Sequence, residues 1–124
     1  MPLPHREYAG IRVVSPVGRL DHETCDAFQA DLAPHVQASA HEGGALVLDL
    51  SRLEYISSAG LRCLMMAARQ AGEQRGRILV AAMQPIVSEI VRISRFNLVL
   101  EVFASTREAL AAVSPQAAQA FERG

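Results

Sequence analysis

Three stretches of the chain are almost continuously apolar: residues 45–50 (Ala-Leu-Val-Leu-Asp-Leu), 77–82 (Arg-Ile-Leu-Val-Ala-Ala) and 97–103 (Asn-Leu-Val-Leu-Glu-Val-Phe). Runs of this length and unbroken character suit strands buried on both faces, as at the centre of a parallel sheet. The first follows Gly43-Gly44, a natural break. Nearer the start, residues 8–17 carry two apolar stretches around Gly10 and close at Pro16. That pattern predicts strand, turn, strand, and an antiparallel opening pair would make the sheet mixed.

Between the strands the apolar positions recur at helical spacing. Asp21 is a candidate N-cap for a helix with Cys25, Phe28, Leu32 and Val36 on one side. Pro34 falls inside that pattern and predicts a helix that ends early, kinks or splits. Leu61, Leu64, Met65 and Ala68 follow the i, i+3, i+4, i+7 rule, with Arg62, Arg69 and Glu73 directed elsewhere. Pro85 suits the first turn of a helix with Ile86, Val87, Ile90 and Val91 inward. Ser105-Thr106-Arg107-Glu108 is a capping-box pattern ahead of Ala109, Leu110 and Val113. Residues 115–124 are open to either a terminal helix or a frayed end. From residue 45 onward strands and helices alternate, which predicts βα units with parallel strands. No repeat and no long linker interrupts the pattern, so 124 residues are expected to form one domain, with a core over about residues 8–113 and a tail at 114–124.

Composition narrows the function classes. Half the residues are hydrophobic and Trp is absent, so the core is expected to be aliphatic. The formal charge of -1 argues against a nucleic-acid binder. All the basic residues are Arg, a bias of composition more than a phosphate-binding signature. Cys25 and Cys63 lack the CxxC spacing of zinc or thioredoxin-like sites, and two reduced, mostly buried thiols in a cytoplasmic protein are expected. The N-terminal segment lacks a signal peptide's apolar stretch, and no apolar run is long enough to cross a bilayer. No metal and no cofactor is expected.

The stretch that carries chemistry is residues 46–62, where an apolar strand ends, a loop follows, and Ser57 and Ser58 stand where a helix begins. A helix start offers unsatisfied N–H groups and the positive end of the dipole, so a phosphate there is accommodated. Phosphorylation would add about -1.5 to -2 charges without unfolding the helix. On spacing alone, either serine is equally well explained as a cap, and Ala59 and Gly60 as close packing at the helix start.

The segment Val47-Leu-Asp-Leu-Ser-Arg-Leu-Glu-Tyr-Ile-Ser-Ser-Ala-Gly-Leu61 resembles the signature of the STAS domain family, which includes the bacterial anti-sigma factor antagonists. Gly18-Arg-Leu-Asp-His-Glu-Thr24 resembles the family's segment before its first helix, and residues 98–113 its last strand and helix. The resemblance covers roughly residues 8–113. It implies a mixed β-sheet with helices packed mainly on one face. It implies a non-enzymatic binding module that, unphosphorylated, sequesters a GHKL-type serine kinase acting as an anti-sigma factor. Phosphorylation releases the kinase, and a PP2C-type serine phosphatase restores the complex. The acceptor position corresponds to Ser58, with Ser57 the second choice. Asp21, Ser57, Ser58, Ala59, Gly60 and Arg62 form the implied partner-binding set. Two positions depart from the family pattern: Ser57 replaces an acidic residue and Ala59 a serine, and both bear on which partner is recognised. Asp49 matches the family's strand-end acid, either bonding the N–H groups of the following turn or serving no special role. Arg62, in the helix's first turn, faces the partner, counters a phosphate, or is simply a residue of a solvated helix face.

Three rival readings remain. A serine hydrolase is disfavoured, since Ser57-Ser58-Ala59-Gly60 is no Gly-x-Ser-x-Gly elbow and His5, His22, His35 and His41 show no partner pattern; only His22, beside Asp21, is placed to approach Ser58. Nucleotide binding lacks a P-loop and any Lys. Within the family, a STAS subunit of a lipid-transport ABC complex, or of a stress-signalling assembly without a phospho-switch, is the alternative.

Overall fold

The computed structural model describes residues 3–41 and 44–124, so Gly43 lies outside the described residues. The chain runs β1 (His5–Tyr8), β2 (Ile11–Val14), β3 (Gly18–Leu20), α1 (Cys25–Ala38), β4 (Ala45–Asp49), β5 (Leu53–Ile56) and α2 (Ser58–Glu73). It continues through β6 (Arg77–Ala81), α3 (Pro85–Ile93), a 3-10 turn (Phe96–Leu98), β7 (Glu101–Phe103), α4 (Thr106–Val113) and α5 (Pro115–Glu122).

Five strands form one sheet in the order β1-β2-β4-β6-β7. β1 and β2 pair antiparallel and every other pairing in that sheet is parallel, so the sheet is mixed, as expected. The β1–β2 hairpin closes through Ala9 and Gly10, both at positive φ (51° and 85°), the conformation that matches the twist of paired strands. β1 escapes the hydrophobic pattern because His5-Arg6-Glu7 is an exposed edge segment.

β4 lies at the centre of the sheet, and its alternate side chains feed two cores. Leu46 and Leu48, with Ile78 and Val80 of β6, pack against α1, α2 and α3. Ala45 and Val47, with Leu79 and Ala81, pack against α4 and α5. The three longer helices thus share one face and the two shorter ones cover the other. α5 is the helical outcome for the chain end; Ala117 and Ala118 are buried, and Phe121 meets Tyr8 edge to face at 5.3 Å.

Several elements differ from the sequence reading. Residues 97–103 are strand only over β7; Arg95 at φ 63° and the 3-10 turn redirect the chain, leaving Leu98 74% exposed while Leu100 is buried. Residues 53–56, read as loop, form β5, which pairs in parallel with the short β3 as a separate two-stranded sheet. α1 neither ends nor splits at Pro34: the ring is exposed, and so is Ala30, whose carbonyl loses its N–H partner. In α3, Val87 and Val91 are buried but Ile86 is 54% exposed. In α2 the buried stripe is Leu61, Cys63, Leu64, Ala67 and Ala71, with Met65 and Ala68 at its margin.

Candidate functional site

β3 and β5 run side by side in the same direction, with Leu20 opposite Ile56. The residues that follow each strand therefore leave the same end of the pair, which sets Asp21 next to Ser57. The Ser57 N–H donates to the Leu20 carbonyl at 3.0 Å. α2 then starts directly over this junction. A Cβ on Gly60 would stand 2.2 Å from the Leu20 carbonyl oxygen, so only glycine lets the first turn approach so closely.

The two serines have separate duties. Ser57 is the N-cap: its Oγ accepts from the Gly60 N–H at 3.1 Å, and its carbonyl accepts from the Leu61 N–H at 2.8 Å. Ser58 is the first helical residue and is exposed. Ala59 is half-buried, Gly60 buried and Arg62 exposed. Ser58 and Arg62, four residues apart, share one side of α2. With Met65, Arg69 and Phe96 they line an open hollow of about 330 Å³. A charge placed on the Ser58 hydroxyl would stand one helical turn from the Arg62 guanidinium.

Asp21 is not the N-cap of α1, a correction to the sequence reading. That position is Thr24, whose side chain caps nothing in the helix. Asp21 instead closes the turn before it, its Oδ1 accepting from the N–H groups of Glu23 (3.0 Å) and Thr24 (3.2 Å). Loss of hydration at this partly covered carboxyl pushes its pKa up, but bonds from the Thr24 and Glu23 N–H groups and from Arg19 outweigh that. The net position is below the ordinary carboxylate value, and Asp21 stays ionised. Arg19, 3.4 Å from Asp21, also lies over the Tyr55 ring, 4.5 Å from its centre. Sequence reasoning missed this Arg19–Tyr55 clasp across β3 and β5, because it requires knowing that the strands pair.

Family model and geometry agree. A family model described as "Mlab, STAS domain" matches residues 10–101. The chain belongs to the STAS family. Among curated proteins, this STAS chain is 34% identical over 112 residues to BtrV of Bordetella bronchiseptica, a protein named for anti-sigma factor antagonism; the match covers 90% of this chain and 93% of that one. The structure of an anti-sigma factor antagonist from Mycobacterium paratuberculosis is similar at 27% identity with a TM-score of 0.77, covering 90% of this chain and 92% of that one. The anti-sigma factor antagonist SpoIIAA in its unphosphorylated form shares the fold, with a TM-score of 0.69 at 18% identity, covering 90% of this chain and 95% of that one.

The STAS fold brings Asp21, Ser57, Ser58, Ala59, Gly60 and Arg62 to one end of the molecule. It leaves Asp49 apart. That side chain points to the sheet face opposite α2, among Pro4, Tyr8, Arg52 and Phe121, while its Oδ1 accepts from the Ser51 N–H at 3.0 Å. Asp49 is thus the turn-bonding acid anticipated, outside the serine site. His22 borders the same open hollow as Ala59 and Arg62, and no hydrogen bond joins it to Ser58 among the described residues. No group of three metal-ligating side chains gathers among the described residues. No described helix is long and apolar enough to cross a membrane.

The cysteines depart from expectation. Cys25, the first residue of α1, and Cys63, in the second turn of α2, are bonded to one another, with Cα atoms 6.2 Å apart. Packing of α1 on α2 brings together residues 38 apart in sequence, a proximity no local spacing announces.

Proposed function

We propose that this STAS domain is an anti-sigma factor antagonist switched by phosphorylation of Ser58. It acts in the cytoplasm by binding, not by catalysis, and needs no cofactor or nucleic acid. The face formed by Asp21, Ser57, Ser58, Ala59, Gly60 and Arg62 docks on a GHKL-type serine kinase that doubles as the anti-sigma factor. The observation that carries this reading is the division of labour between the serines: Ser57 is spent as the helix cap, whereas Ser58 presents an exposed hydroxyl on the side of α2 that also carries Arg62. Phosphate at Ser58 is tolerated by the isolated domain, since it stands at the helix N-terminus, one turn from Arg62. In a docked interface the same charge brings repulsion and a desolvation cost, and the kinase is released. A PP2C-type phosphatase then resets the face.

The test is purification of the chain from its native organism, with mass spectrometry of both bait and partners. Phosphate on Ser58, with a serine kinase or PP2C-type phosphatase bound, is expected. An unmodified chain bound to ABC transporter subunits would discard the switch and favour a structural role in lipid transport.

A further inference from the structure

We propose that Cys25 and Cys63 form a reversible thiol–disulfide couple that staples α1 to α2 beside the serine site, with Cys25 the sulfur that reacts first. The Cα separation of 6.2 Å lies within the span a disulfide requires. Access is unequal. Cys63 is 1% exposed and belongs to the buried stripe of α2. Cys25 is half-buried and borders a shallow hollow shared with His22, Asp26, Ala59 and Arg62. It is the first residue of the 14-residue α1, at the end of the helix nearer the Asp21 turn. A solvent-reachable thiol next to a buried second thiol is the arrangement of a redox-sensing pair.

The fold stands without the bond. Phe28, Leu32 and Val36 of α1 share one core with Leu61, Leu64 and Ala67 of α2, so the dithiol state keeps its packing. In a compartment held reducing, that dithiol is the resting state, and a small disulfide such as oxidised glutathione closes the staple. The Cys25 thiolate attacks one glutathione sulfur, forming a mixed disulfide and releasing one glutathione thiolate. Cys63 gives up its proton, attacks the Cys25 sulfur and displaces the second glutathione. Two protein thiols are oxidised, and one glutathione disulfide is reduced to two thiols.

The staple reaches the serine site through the backbone. The Cys25 N–H donates to the Asp21 carbonyl at 2.9 Å, and Cys63 follows Ser58 by little more than one helical turn. Closing it ties the Asp21 turn to the start of α2. This inference rests on the placement of the two sulfurs and holds whether or not Ser58 is phosphorylated.

The experiment uses the full chain, purified under reductant, then incubated with oxidised glutathione without denaturant. The reaction is quenched with N-ethylmaleimide and read by intact mass. The expected product is a monomer lacking two hydrogens and carrying no maleimide, restored to the dithiol by dithiothreitol. Cys63→Ala should stop at a glutathione adduct on Cys25, and Cys25→Ser should leave Cys63 unmodified until the chain is unfolded. Amide exchange over residues 21–26 and 57–63 should slow on oxidation. Two maleimides on the treated wild-type chain, or a glutathione adduct on Cys25 that never resolves, would overturn the couple. Unchanged exchange in both segments would overturn its link to the serine site.

Discussion

At the scale of single residues, the adjacent serines are chemically alike and structurally opposite. The sequence places both at a helix start, but nothing in it says which one faces inward. That choice is made by the backbone of Leu20, which fixes Ser57 through its N–H and leaves Ser58 one step further round the helix. The two alanine variants should therefore differ in stability. Ser57→Ala removes the acceptor of the Gly60 N–H and is expected to cost about 1 kcal/mol in urea denaturation. Ser58→Ala should be nearly neutral, since an exposed first-turn hydroxyl gives way to a better helix former. A larger loss at Ser58 than at Ser57 would reverse their assignment.

At the scale of elements, the central strands and the Ser105 cap were legible because burial on both faces and local hydrogen bonding leave marks within a few residues. β4, β6 and α4 follow the pattern closely, and Ser105 caps α4 through the Glu108 N–H at 3.1 Å as its spacing implies. β3, β5 and the turn before α1 were not legible as such. They are short, and their order comes from pairing with distant segments, not from their own periodicity. The site depends on that pairing. Gly60→Ala tests it: a Cβ would meet the Leu20 carbonyl at 2.2 Å and Ile56 Cγ1 at 2.9 Å, forcing α2 away from β3. The expected loss is about 1–3 kcal/mol, read as a lower denaturation midpoint, with increased amide exchange at Ser57. An unchanged midpoint would mean that the helix start is not seated on β3.

At the scale of the whole molecule, the mixed sheet with α1–α3 on one face and α4–α5 on the other follows from alternation along β4 and β6, and the order of the elements was readable in advance. The contacts that close it over long distances were not. Besides the cysteine pair, buried His35 of α1 lies under β1 and β2: Arg12 donates to its Nδ1 at 3.0 Å, and the His5 ring is 4.6 Å away. Arginine can only donate, so the bond needs a neutral imidazole. Burial, then the charges of His5 and Arg12, push the His35 pKa below its ordinary 6.5. The unfolded chain thus takes up a proton that the folded chain refuses. Stability should fall as pH drops below 6.5 and level off only below the folded-state value. His35→Gln, which retains an acceptor for Arg12, should flatten the dependence of melting temperature on pH between neutrality and about pH 5. An unchanged slope would show that His35 is already charged in the folded protein.

The central claim is that charge at Ser58 controls partner binding. It is tested most directly by the affinity of the captured serine kinase for three chains: wild type, Ser58→Ala and Ser58→Asp. Wild type and Ser58→Ala should bind alike. Ser58→Asp should bind at least about tenfold more weakly, because an unmatched charge in an interface costs a kcal/mol or more. Equal affinity for all three chains would contradict a charge-gated interface at this residue and return Ser58 to an ordinary place in the first turn of a helix.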